Sequence, residues 1–127
     1  MTERAGLSAT LTHHHRGVTQ VYVVGELDRE TREQWRLSMG DQPATGVTAL
    51  IVDLSRVSFC SVCGARMLLE LQNGANAEGV PVELVVGSRP VRRCLQACRM
   101  WELFSTHADH ESALERLGES GVTRRPV

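Results

Sequence analysis

The chain has 127 residues, of which 42% are hydrophobic and 23% are charged, and its formal net charge is −1. This length and composition predict one globular domain with enough apolar residues for a core. This near-neutral charge gives no indication of a general electrostatic attraction to nucleic acid or to an anionic membrane. All 14 basic residues are arginine, so no lysine is present for Schiff-base catalysis or a Walker-type phosphate site.

The N-terminal segment, residues 1–17, contains no long apolar stretch. We therefore expect no signal peptide or transmembrane helix, a cytoplasmic location, and cysteines that stay as thiols. His13, His14 and His15 stand together in this segment. Adjacent residues of an extended chain point to alternate sides, so we expect no metal site there.

Hydrophobic alternation predicts that the chain begins with a β-hairpin. Leu7, Ala9 and Leu11 alternate with polar residues, which is typical of a strand with one solvated face. A second strand is predicted over residues 18–25, after a turn at residues 16–17.

Strands and helices alternate after the hairpin. Asp28 is a predicted N-cap for a helix that runs to Met39, and the apolar run at residues 48–54 predicts a strand buried on both faces. The later predicted elements are a helix after Gly64 ending at residues 76–79, a strand from Pro81 to Gly87, a helix starting at residues 88–90, a short strand at residues 104–108 and a helix from Asp109 to Gly118. This order predicts an α/β fold, a mixed β-sheet with helices packed on it, with the domain over residues 1–118 and a flexible tail over residues 119–127.

Several short motifs follow one another along the chain. They are GELD at residues 25–28, VDLSRVSF at 52–59, PVELVVG at 81–87, VRRCL at 91–95, LF at 103–104 and ESAL at 111–114. In this order and at these spacings they resemble a STAS domain, and within it the bacterial anti-sigma-factor antagonists. The resemblance spans about residues 7–117.

The resemblance implies a protein that is not an enzyme and needs no cofactor. It implies binding to an anti-sigma factor with a histidine-kinase-like ATPase fold, which frees a sigma factor; no nucleic acid or membrane is bound, and we expect a monomer. In this family the partner phosphorylates a serine at the start of the helix after the central strand, and this ends binding. A helix N-terminus can hold a phosphate, and its added charges disrupt a docked surface.

The sequence departs from the family pattern at the phosphorylation motif. Alignment on Phe59 and Gly64 places Ser61 at the family's aspartate, Val62 at the acceptor serine and Cys63 at the next serine. Valine has no hydroxyl, so either phosphorylation is lost or Ser61 replaces the acceptor, with Ser58 as a less favoured substitute. We favour loss, because a nucleophile one residue earlier points in a different direction and phosphoryl transfer requires in-line positioning.

The same resemblance implies that the start of this helix faces the partner. Arg66 is the strongest candidate contact, because arginine is favoured at interfaces. The predicted partner-binding residues are Ser61, Val62, Cys63, Gly64, Ala65, Arg66 and Leu69.

The four cysteines allow two interpretations. Cys60 and Cys63 form a C-x-x-C, and Cys94 and Cys98 lie four residues apart on a later predicted helix. A thiol at a helix N-terminus has a lowered pKa, so all four are candidates for a redox switch that replaces phosphorylation. Packing of buried thiols is the favoured interpretation, ahead of redox sensitivity and a four-cysteine metal site. Within the redox case, a Cys60–Cys63 pair needs the least rearrangement of the chain.

Other functions remain open from the sequence. Soluble STAS proteins also occur as subunits of a lipid transporter or of a stress-sensing complex. A thioredoxin-like oxidoreductase also places a C-x-x-C between a strand and a helix, and Pro81 precedes a later strand as in that fold. The order of elements and Phe59 before the first cysteine disfavour it. Asp53 we interpret as a carboxylate bonded to backbone, not as a catalytic group.

Overall fold

A computed structural model describes residues 6–120. The strands are β1 (Leu7–His13), β2 (Val18–Leu27), β3 (Ala49–Cys60), β4 (Val82–Val85) and β5 (Ser105–His107). The helices are α1 (Arg32–Met39), α2 (Val62–Ala77), α3 (Arg89–Ala97) and α4 (His110–Ser120). None of the helices in this part of the chain combines the length and hydropathy that a membrane span requires.

The strands form one sheet in the order β1-β2-β3-β4-β5. β1 is antiparallel to β2, and the remaining neighbours are parallel. The hairpin turns through Arg16 and Gly17, both at positive φ. A side chain at Gly17 would place its Cβ 2.6 Å from the Gly46 carbonyl oxygen, so glycine is required. The predicted α/β fold with a mixed sheet and an N-terminal hairpin is confirmed.

Helices cover both faces of the sheet unequally. Residues 49–52 of β3 are fully buried, as predicted. Alternate residues of a strand point to opposite faces: Leu50 packs in a core with side chains of α1, α2 and α3, and Ile51 packs in a smaller one with Ala113 and Leu117 of α4. Three helices therefore lie on one face and α4 on the other.

The first predicted N-cap is confirmed. The Asp28 carboxylate accepts the Glu30 and Thr31 N–H groups at 2.9 and 3.0 Å, and the Thr31 hydroxyl accepts the Asp28 N–H at 3.1 Å. This capping box begins a short 3₁₀ turn that leads into α1. It fixes the direction in which the chain leaves β2.

Several predicted boundaries are wrong; β4, for example, spans Val82–Val85 and not residues 81–87. β2 continues past Gly25 to Leu27, and β3 continues through Cys60. These extensions pair with each other, with register irregularities that absorb the positive φ of Gly25. α4 continues past Gly118 to Ser120 because a glycine weakens a helix without ending it. The rest of the predicted tail, residues 121–127, lies outside the described residues.

Candidate functional site

The start of α2 is held against the end of β2. Ser61 is the N-cap: its hydroxyl accepts the Gly64 N–H at 3.2 Å. The Ser61 N–H in turn donates to the Leu27 carbonyl at 2.9 Å. Ser61 thus joins the start of α2 to the end of β2, where the GELD motif lies.

Gly64 makes this approach possible. A Cβ at this position would lie 2.2 Å from the Leu27 carbonyl oxygen, so any side chain would separate α2 from β2. Gly64 and Ala65 are both buried. The expectation that Ala65 is an exposed partner contact is therefore wrong, because both residues lie on the face of α2 that packs on the sheet. The assignment of Gly64 to the partner-binding residues stays a prediction. Leu69 is half-buried and packs against the core.

Val62 and Arg66 are the exposed residues at the start of α2. Val62 is 56% exposed, and Arg66 follows one turn later on the outer face. Val62 lines a groove against α3. Arg66 lines a depression on the other side, with Arg32 and Glu70. The helix start therefore offers two adjoining surfaces.

The hydroxyl of Ser61 is already engaged. It acts as the N-cap acceptor within α2, whereas Val62, at the family's acceptor position, projects into solvent. This difference in direction supports the interpretation that Ser61 does not take over the role of the acceptor.

The structure separates the two cysteines of the C-x-x-C. Cys60 and Cys94 both donate to the Ser61 carbonyl, at 3.7 and 3.2 Å, and share the groove with Cys98. Cys63 lies in the depression beside Arg66. Cys60 therefore shares its groove with Cys94 and Cys98, while Cys63 lines a different depression; the ease of a Cys60–Cys63 pair stays a prediction.

The thiols are free, and they do not gather as a four-thiolate site. Within residues 6–120, no group of three or more histidine, cysteine or acidic side chains has metal-binding geometry. In the N-terminal segment, His13 bonds to Thr19 and His14 to Gln20, in line with their alternation along β1 and beyond it.

Burial raises the pKa of Cys60, and the neighbouring thiols of Cys94 and Cys98 raise it further. Burial also raises the pKa of the Cys94 thiol. The expected lowering at a helix N-terminus is wrong for Cys60, because this residue precedes the N-cap and is only 7% exposed. Both groups are neutral hydrogen-bond donors at neutral pH, which disfavours spontaneous thiolate chemistry.

Sequence reasoning missed Phe59 as a site residue. It is 48% exposed at the end of β3 and lines the groove with Val62. The signal was present in the sequence: an aromatic residue stands directly before the C-x-x-C, next to the helix start that was expected to face the partner. Asp53, in contrast, bonds to the Ser55 N–H at 2.9 Å, which confirms its interpretation as a backbone-bonding carboxylate.

Arg92 and Arg93 are adjacent residues of α3. The Arg92 guanidinium lies over the Trp101 ring, 5.5 Å from its centroid. Arg93 is exposed and lines the groove. The two neighbours therefore have different environments.

An α/β domain with this strand order and a helix start held on β2 defines the class of fold. The sequence profile of the STAS domain matches residues 9–113. The chain therefore belongs to the STAS domain family, which excludes the thioredoxin-like alternative.

Solved structures share this fold. The chain is 24% identical to an anti-sigma factor antagonist from Mycobacterium paratuberculosis, with a TM-score of 0.73 over 88% of this chain and 94% of that one. It is 22% identical to the phosphorylated form of the Bacillus cell fate determinant SpoIIAA, with a TM-score of 0.64 over 87% and 99%. It is 16% identical to a sulfate transporter family protein from Wolinella succinogenes, with a TM-score of 0.70 over 85% and 89%. No curated protein sequence matches significantly.

Proposed function

We propose that the protein is a non-catalytic cytoplasmic regulator, an anti-sigma-factor antagonist. It binds an anti-sigma factor with a histidine-kinase-like ATPase fold, and binding frees a sigma factor. The observation that carries the proposal is the start of α2, where Ser61 and Gly64 hold an exposed Val62 rigidly on the sheet. Membership of the STAS family and the likeness to known antagonists supply the kind of partner.

The proposed binding surface contains fewer residues than the partner-binding set predicted from the sequence. Val62 and Arg66 provide the exposed contacts, with Ser61, Cys63 and Leu69 partly accessible beside them. Gly64 and Ala65 act beneath the surface by letting α2 pack closely. A preorganised helix start favours binding because little conformational entropy is lost on docking.

A charge reversal at Arg66 tests this surface. Candidate anti-sigma kinases from the same genome would be purified and titrated with wild-type protein, Arg66→Glu and Arg116→Glu by calorimetry. We expect Arg66→Glu to weaken binding at least about tenfold, because an interface arginine becomes a repulsive carboxylate. Arg116 is exposed on α4, on the opposite face of the sheet, so its variant should bind as the wild type does. Equal affinities for all three proteins would refute the assignment.

Phosphorylation no longer ends binding in this proposal. Incubation with the partner kinase and ATP, followed by intact-mass spectrometry, should leave the wild type unmodified. Val62→Ser restores a hydroxyl at the exposed first position of α2 and should gain one phosphate. Phosphate on Ser61 of the wild type would overturn this part, and the matched control is Ser61→Ala in the Val62→Ser background.

In the proposed function, the cysteine thiols have a packing role. Cys60 and Cys94 donate to the Ser61 carbonyl and thereby support the N-cap residue. A redox switch remains the alternative hypothesis: its remaining support is that Cys94 and Cys98 are half-exposed in the groove.

A role in a larger assembly is the second candidate function. The likeness to a sulfate transporter family protein covers 89% of that chain, so the same fold serves another context. Our alternative is a STAS subunit of a lipid transporter or a stress-sensing complex. Affinity capture from detergent-solubilised cells distinguishes them: a kinase-like anti-sigma factor supports the first function, and a membrane transporter or large sensor complex supports the second.

A further inference from the structure

A groove runs between α3 and the junction of β3 with α2. This α2–α3 groove is defined by Phe59, Val62, Pro90, Arg93, Cys94 and Cys98 and has a volume of about 650 Å³. Phe59 and Val62 are 48% and 56% exposed. Exposed apolar groups that line one concave surface are typical of a site that receives an apolar group from a partner.

The charge around this groove has one sign. Arg89 and Arg93 line it, and no acidic residue does. α3 itself carries no Asp or Glu. Among the described residues Arg89 and Arg93 form no ion pair, in contrast to Arg92, which lies over Trp101. In a chain with a net charge of −1, this local excess of positive charge selects a negatively charged ligand.

We propose that the α2–α3 groove binds an acidic segment of the partner that inserts one apolar side chain between carboxylates. The apolar side chain covers Phe59 and Val62, and the carboxylates pair with Arg89 and Arg93. The inference rests on the proposed function for the use of this end of the domain, and it adds α3 to an interface so far assigned to α2. A single-stranded nucleic acid would also pair with the arginines and stack a base on Phe59, so an oligonucleotide is the competing probe in the test below.

A peptide titration tests the chemistry without the partner. The probe is a synthetic peptide with a central leucine flanked by glutamates, and its control has glutamines instead. In amide NMR spectra of the full chain, the glutamate peptide should shift residues 58–62 and 89–98, with affinity that falls as salt rises. The glutamine peptide should bind at least about fivefold more weakly. Absent shifts, equal affinities, or tighter binding of a single-stranded oligonucleotide would overturn the proposal.

Single-residue variants test whether the peptide binds in the α2–α3 groove. Arg93→Glu and Phe59→Ala should each weaken peptide binding about tenfold, and Arg116→Glu should not change it. Urea midpoints of all variants establish that they are folded. A kinase-like anti-sigma factor that binds the wild type and Arg93→Glu equally would refute the groove and leave the proposed function standing. Peptide binding without any anti-sigma binding would refute the proposed function alone.

Discussion

The close packing of α2 on β2 predicts a large effect of one methyl group. In Gly64→Ala the new Cβ would lie 2.2 Å from the Leu27 carbonyl oxygen, whereas an ordinary contact is 3.4–4 Å. The two backbones would have to separate by about 1 Å in a densely packed region. Overpacking of this kind costs about 1–3 kcal/mol. The hydrogen bond from the Ser61 N–H to Leu27 would lengthen as well, with a loss of about 1 kcal/mol.

The helix itself offers a matched control. Gly74 lies in the same helix, is exposed, and a Cβ there meets no atom within 4 Å. Gly74→Ala should stabilise the protein by up to about 1 kcal/mol, because alanine has the higher helix propensity. Gly64→Ala gains the same propensity, so its net destabilisation should be about 2 kcal/mol.

Urea unfolding followed by tryptophan fluorescence measures both changes. Trp35 belongs to α1 and is 7% exposed in the core, so its emission should report global unfolding. The expected result is a lower midpoint for Gly64→Ala and a higher one for Gly74→Ala at the same m-value. A Gly64→Ala variant as stable as Gly74→Ala would show that α2 does not depend on contact with Leu27, and the description of the binding surface would fail with it.

Two further predictions concern the capping box and the buried thiol. Asp28→Ala should lower the free energy of unfolding by about 1–2 kcal/mol through loss of the cap, whereas the exposed Asp41→Ala should change it by less than about 0.5 kcal/mol; urea titration of both variants measures the difference. Cys60 has a raised pKa in the folded state, so its contribution to stability is complete below the unfolded thiol pKa of about 8.5 and is lost as pH rises above it. Between pH 8 and 10 the free energy of unfolding should therefore fall more steeply in the wild type than in Cys60→Ala, by at most about 1.4 kcal/mol per pH unit; parallel pH profiles would contradict the assigned environment.

The periodicity of the apolar residues was sufficient to predict the order of strands and helices. The residues that pack in the core recur along each element at its own period. This periodicity was insufficient for the second half of β3. Residues 53–59 include exposed polar side chains and resemble a link. They form a strand because their backbone groups pair with residues 22–26 of β2, and backbone pairing does not depend on side-chain polarity.

The burial of Gly64 could have been predicted from the sequence. The helical period that places Met67, Leu68 and Ala75 on the buried face also places Gly64 there. The proximity of Cys60 to Cys94 could not have been predicted from the sequence, because it depends on how α3 lies beside the end of β3. No local sequence pattern encodes that contact.

Under the proposed function, the replacement of the acceptor serine by Val62 does more than remove a switch. Val62 is 56% exposed beside Phe59, so docking can bury apolar surface where a hydroxyl would have needed a hydrogen-bond partner. Covering that exposed part of a valine stabilises a complex by roughly 1 kcal/mol, or about fivefold in affinity. The same residue thus tightens the complex and makes it insensitive to the partner's kinase activity. Release would then depend on competition for the anti-sigma factor and on concentration, not on covalent modification of this helix start.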